Sequence, residues 1–182
     1  MRKSFLALAV SLFAIVGSAQ AANNAEITIT GNVVKVTCDV NLSKTTLDLG
    51  NWAPASFTAA STPVAGSVKQ FSVGLTNCAG TPTAGEKASL MVGGQTLAGH
   101  STIFQGAAGS SSNVGVMISP VDTPTAYIAT GDHILETIAG ATPALGDFEG
   151  QQIILQAALA ASSTPAAIGS VNAPVLFSFA YN

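Results

Sequence analysis

An all-β sandwich is the fold class that this chain predicts. Three observations carry it. Short runs of β-branched and aromatic residues recur between clusters of Gly, Pro, Ser and Thr. Charge is sparse, with Asp, Glu, Lys and Arg making up 8% of the chain, a composition that suits an exported all-β protein better than a helical one. The tail places Val171, Ala173, Val175, Phe177, Phe179 and Tyr181 on one face at period two, as a half-buried strand requires.

The amino terminus is an export signal. Arg2 and Lys3 form the positive region, Phe5 to Val16 the apolar region, and Ala19-Gln20-Ala21 an A-x-A cleavage site. The apolar run is too short for a good membrane span, and no later segment is long and apolar enough to cross a bilayer. Residues 1–21 are therefore read as a cleaved leader. The remaining chain keeps four lysines and no arginine against nine carboxylates, a net charge of −5. Nucleic acid is excluded as a partner, because phosphate binding needs clustered cations. A basic patch for anionic lipid is missing too.

After the leader, Ala25-Glu-Ile27-Thr-Ile29-Thr-Gly31 alternates, with Asn23, Ala25, Ile27, Ile29 and Gly31 on one face and Glu26, Thr28 and Thr30 on the other. Gly31 to Val40, carrying Cys38, reads as the first core strand. Leu47 and Leu49 mark a short second strand ended by Gly50. Asn51 to Gly66 is a loop. Ser67 to Leu75 is a strand leading to Cys78, and Ala79 to Gly85 a turn region. Ala88 to Val92 is a strand, with Gly93-Gly94 as the turn after it. Asn113 to Ser119 is another, broken off by Pro120 and Pro124. His133 to Ile138 is a weaker strand. Gln151 to Ala161 is open between strand and helix: Ile153-Ile154-Leu155 favours strand, the Ala and Leu beyond it helix. Ser162 to Gly169 is a loop, and the tail strand follows. That strand is apolar and shows no evident partner, so its open edge invites pairing with another chain. A spare alternating segment at one end and an open edge at the other point to head-to-tail assembly.

Cys38 and Cys78 are the only two cysteines. In an exported chain such a pair forms a disulfide, and a metal pair would need further ligands nearby. Catalytic candidates are few. His100 sits beside Gly99 and Ser101 and reads as a surface-loop residue, as befits a lone histidine. Two histidines cannot furnish a copper–zinc site. No G-x-S-x-G elbow occurs, and Gly93-Gly94 is followed by no phosphate-binding pattern. Asp147 and Glu149 flank Phe148 between two glycines and read as a solvated pair, as do Asp132 and Glu136. Asn41-Leu42-Ser43 matches a short glycosylation sequon. No enzymatic activity and no cofactor are expected.

Four features together resemble the pilin subunits of chaperone–usher fimbriae, the type 1 major subunits among them. They are the alternating arm that runs into Gly31-Asn32-Val33-Val34 with Thr37-Cys38 after it; Leu75-Thr76-Asn77-Cys78 at the end of the cysteine spacing; Ser112-Asn113-Val114-Gly115-Val116 ahead of Met117-Ile118; and Gly169 fourteenth from the end with Tyr181 penultimate. The resemblance covers essentially the whole exported chain. In the penultimate strand, where such pilins often carry bulky residues, this chain has Ala157, Ala158 and Ala160.

The resemblance implies an incomplete immunoglobulin-like β-sandwich that lacks its last strand and is completed by donor-strand complementation. Residues 22–31 would be the donor arm and residues 32–182 the pilin domain. The donor face would be Asn23, Ala25, Ile27, Ile29 and Gly31. Gly169, Val171, Ala173, Val175, Phe177, Phe179, Tyr181 and Asn182 would form the groove edge, and would also bind the assembly machinery. The implied partners are identical or related pilin subunits in a head-to-tail polymer, a periplasmic chaperone and an outer-membrane usher. The product would be a surface fimbria that supports cell adhesion, reached by export through the periplasm. A minor or adaptor pilin is a neighbouring reading. The rivals from other classes are a complete secreted β-sandwich that binds carbohydrate, for which Trp52, Tyr127 and Tyr181 are a meagre stacking set, and a small secreted hydrolase.

Overall fold

The computed structural model describes residues 33–182. Its nine strands are β1 (Val36–Leu42), β2 (Lys69–Gly80), β3 (Lys87–Gly94), β4 (Thr96–Leu97), β5 (His100–Phe104), β6 (Val114–Pro120), β7 (His133–Ile138), β8 (Gln152–Ala161) and β9 (Val175–Tyr181). They form a six-stranded sheet in the order β1-β2-β8-β6-β5-β4 and a three-stranded sheet in the order β7-β3-β9. Every pairing is antiparallel. The all-β expectation is met, and the two sheets agree with an incomplete immunoglobulin-like sandwich.

Alternation builds the core. Phe71, Val73 and Leu75 of β2 point inward at period two and meet Leu90 and Val92 of β3 and Phe177 of β9 from the opposite sheet. Leu155, Phe104 and Ile118 complete this cluster. Alternation fails on β6, where both faces are covered: Val114 faces one apolar cluster, while Met117 packs with Ile103 and Ala160 in another.

The bulges have local causes. Between Thr37 and Asp39 the register to β2 slips, and the extra residue there, Asn77, has φ 51°. Glu149 satisfies the amides that this bulge turns away from the ladder. Its carboxylate accepts from Asn77 N–H at 3.0 Å and Cys78 N–H at 2.7 Å. A second slip, between Ala88 and Leu90, leaves Leu135 of β7 as the extra residue, with φ 51°. β9 pairs with β3 from Tyr181 to Val175 without a slip.

The open segment Gln151 to Ala161 is a strand from Gln152 onward. Its alanines have a packing reason. β2 covers one edge of β8 only as far as Ala157. Beyond that the 61–67 segment takes over: Ser61 and Val64 N–H donate to the Ala161 and Leu159 carbonyls, and Leu159 N–H donates to the buried Ser67 hydroxyl. Ala160 packs beneath Ile103 and Met117.

Five expectations are corrected. Leu47 and Leu49 do not lie on a strand; the segment is irregular and no strand pairs with it among the described residues, although both leucines pack against the core. Gly93 and Gly94 belong to β3, opposite Leu176 and Val175, and a Cβ on Gly94 would lie 3.0 Å from the Phe104 ring, so the glycine serves close approach. β4 and β5 were not foreseen; they form a hairpin around Ala98-Gly99, with Gly99 at φ 78°, so His100 begins a strand and is not a loop residue. Asp147 and Glu149 are not merely solvated: Asp147 accepts from Gly140 and Ala144 N–H at 3.1 and 3.2 Å, and Glu149 holds the bulge. The tail strand is shorter than its alternation, because β9 begins at Val175, and it has a partner, β3, on one edge.

Candidate functional site: an open cleft beside the terminal strand

The second edge of β9 is unpaired among the described residues. Beside it lies a cleft of about 1080 Å³. Its floor comes from the six-stranded sheet, through Phe71, Val114, Val116, Ile118, Ala157 and Leu159. Residues 44–52 border it, and so do residues 166–175 with Phe177. The floor is apolar because these side chains are the inward-facing members of β2, β6 and β8.

Both borders carry backbone without ladder partners. On one side, residues 44–52 belong to no sheet. Asp48 accepts from Gly50 N–H at 2.9 Å, and the Trp52 indole N–H donates to the Leu49 carbonyl at 2.7 Å, which fixes the shape of this border locally. On the other side, residues 169–172 are held by the 106–111 loop. Gly106 N–H donates to the Asn172 carbonyl at 2.7 Å, Ser110 and Ser111 N–H donate to the Ser170 carbonyl, and Ser170 N–H donates to the Ser110 hydroxyl at 2.7 Å.

The residues named from the sequence fall into three groups. Gly169, Val171, Ala173, Val175 and Phe177 line the cleft. Gly169 has φ 156°, and a Cβ there would lie 2.5 Å from the Ser111 amide nitrogen, so only glycine fits this approach. Phe179, Tyr181 and Asn182 do not line it. Phe179 bridges the main core and a smaller cluster of Val36, Ala88, Ala139 and Phe148, which Tyr181 also joins. Tyr181 stacks on Phe179 and meets Phe148 edge-on, with ring centroids 6.4 and 5.8 Å apart. Asn182 continues the ladder with Lys87, its N–H donating at 2.9 Å and its carbonyl accepting at 2.7 Å. The arm residues Asn23, Ala25, Ile27, Ile29 and Gly31, and the leader 1–21, lie outside the described residues. Cys38 and Cys78 are joined, with sulfurs 2.04 Å apart.

Sequence reasoning missed the 44–52 border and a polar cluster at the far end of β9. In that cluster Glu86 accepts from the Tyr181 hydroxyl, from Thr83 N–H and from Lys35 Nζ, the last at 2.7 Å. Hydrogen bonds from Lys35 first and Tyr181 second hold the Glu86 carboxyl down to about 2. Burial first, and then its bond to Glu86, push the Tyr181 phenol up. The scarcity of charge in this chain was the available signal: each ion in so neutral a sequence calls for a reason.

His133 Nδ1 lies 2.8 Å from the Ser89 hydroxyl on the outer face of the three-stranded sheet. Among the described residues no three His, Cys, Asp or Glu side chains come together as metal ligands, and no helix is long and apolar enough to cross a membrane.

A family model described as "Fimbrial protein" matches residues 27–182. Among solved structures, the P pilus rod subunit PapA superposes with a TM-score of 0.51 at 18% identity, covering 87% of this chain and 100% of that one. The Burkholderia pseudomallei antigen and type I fimbria protein BPSL1626 gives a TM-score of 0.50 at 15% identity, covering 80% and 99%. At such identities the likeness speaks for the fold. No curated protein matches the chain.

Proposed function

The chain belongs to the fimbrial protein family, and on that premise we propose that residues 22–31 complete the sandwich of a neighbouring copy by donating a strand to its cleft. As a fimbrial protein it is a structural subunit of a surface pilus, and it assembles with other pilin subunits. Strand addition to an open sheet edge is an established mode of pilin assembly. The observation that carries the reading here is the cleft itself: an apolar floor between two borders that belong to no sheet, beside the free edge of β9.

The arm has the matching pattern. Ala25, Ile27 and Ile29 share a face for the floor, and Glu26, Thr28 and Thr30 share a face for solvent. Burial of each isoleucine contributes about 1.5–3 kcal/mol. Each ladder bond gained adds about 0.5–1.5 kcal/mol. In this reading residues 1–21 are removed on export, residues 32–182 form the pilin domain, and a periplasmic chaperone occupies the cleft until an outer-membrane usher exchanges it for the next subunit's arm. The resulting fibre supports cell adhesion.

The test is self-complementation. A copy of residues 23–32 is fused after Asn182 through a short flexible turn, and the native arm is deleted. An antiparallel neighbour of β9 can be reached by a tight hairpin, and a short linker supplies an effective concentration of about millimolar. The fusion is expected to be monomeric, independent of chaperone and much harder to melt than the unfused chain. An unfused chain that is already an equally stable monomer would overturn strand donation in favour of a complete secreted sandwich.

A further inference from the structure

The two ends of the described chain meet at one carboxylate. Lys35 lies two residues inside the first described residue, Val33. Its Nζ donates to Glu86 Oε1 at 2.7 Å and to Thr83 Oγ1 at 3.1 Å. Its carbonyl accepts from Thr81 N–H at 3.1 Å. Glu86 Oε2 accepts from the Tyr181 hydroxyl and from Thr83 N–H. One oxygen of Glu86 therefore holds the root of the amino-terminal segment, and the other holds the end of β9.

As a source of stability the Lys35–Glu86 pair is minor, since the two side chains are 59% and 23% exposed. Its placement matters more. Tyr181 is fixed on its other side by Phe179 and Phe148. β9 lines the cleft at Val175 and Phe177 and then runs without a slip to Tyr181. A strand added at its free edge suppresses local opening along β9, and so at Tyr181. Contiguous bonds run from Tyr181 through Glu86 to Lys35.

We propose that Glu86 is a joint between the receiving and the donating ends of the subunit. A strand seated in the cleft steadies Tyr181, and Tyr181 and Glu86 steady Lys35 at the start of the described fold. The proposal rests on the strand-donation reading. Glu86, Lys35 and Tyr181 are then positioning residues that touch no donated side chain.

The experiment uses the full exported chain, kept dilute, with an excess of a synthetic peptide of residues 23–32 as the added strand. Amide hydrogen exchange is followed at β9 and at Thr81, whose N–H is bonded to the Lys35 carbonyl. In the wild type the peptide should slow exchange at β9 and, by about tenfold, at Thr81. In Glu86→Gln and in Lys35→Gln the β9 protection should remain and the Thr81 protection should vanish. Lys35→Gln alters an exposed side chain and keeps the test valid should Glu86→Gln fold poorly. Protection of β9 with an unchanged Thr81 amide in the wild type overturns the joint, as does equal Thr81 protection in both variants. A peptide that protects neither site overturns strand donation itself, and the joint with it.

Discussion

The Tyr181 hydroxyl donates its hydrogen to Glu86 across a separation of 95 residues. This bond closes the penultimate residue of the chain onto the β2–β3 connection, and it makes part of the protein's stability depend on pH. The Glu86 carboxyl lies at about 2, below its ordinary 4.5. A depressed folded value gives a contribution that is complete above the unfolded value and is lost as pH falls towards the folded one. Urea midpoints of the wild type should therefore drop between about pH 4.5 and about pH 2 more steeply than those of Glu86→Gln. Tyr181 is raised, so its contribution is present below its ordinary 10 and is lost as pH climbs through the higher folded value. Tyr181→Phe should flatten that alkaline limb. Superimposable pH profiles for wild type and variants would contradict both assignments.

The Cys38–Cys78 bond closes β1 onto β2 over a sequence separation of 40. The paired substitution Cys38→Ser, Cys78→Ser should destabilise the subunit by about 2–5 kcal/mol, read by chemical denaturation. A loss well under 1 kcal/mol would mean that the β1–β2 ladder and Glu149 hold this corner unaided.

Ile29→Asp should stop polymerisation and leave the subunit's own fold intact. An ionised carboxylate would enter an apolar cleft without a partner, which is strongly unfavourable. Electron microscopy of cells carrying only this variant should find no fibres. Fibres of normal length would argue against donation by this face.

Gly169→Val should fail in the receiving subunit itself. The added side chain meets the Ser110–Ser111 backbone and moves the 169–172 border away from the cleft. Strain of about 1–3 kcal/mol is expected. Accumulation of soluble subunit should fall, and donor-peptide affinity should fall with it. A variant with wild-type yield and affinity would remove Gly169 from the site.

Where one face of a strand was buried and the other open, the sequence was legible. β2 and the tail read directly from Phe71, Val73 and Leu75 and from Val175, Phe177 and Phe179, while His133 to Ile138 read only weakly, its period broken by the bulge at Leu135. β6 also read as a strand, although both its faces are covered, whereas β8 stayed open because its run of alanines favours helix as readily as strand. β4 and β5 were invisible for a different reason: their hairpin rests on a single Ala98-Gly99 turn, and Leu97 is too isolated to show a period. The cleft was half legible. Its β9 border announces itself by period two, whereas residues 44–52 have extended-looking leucines but no strand beside them. The Glu86 cluster depends on contacts 51 and 95 residues apart, which no local pattern encodes.

The sheet edges differ in quality, and this shapes what the molecule can build. β4 has two residues, β7 is broken by its bulge at Leu135, and β1 pairs around the bulge at Asn77. Bulged and short edges are poor templates for further strands. β9 alone among these edges offers a long, even run. Sideways stacking of sheets is thereby suppressed, and a unit with one good socket can accept one newcomer at a time. On the strand-donation proposal, growth would then be confined to a line with a fixed polarity, and the same device that permits a thread would forbid a plaque.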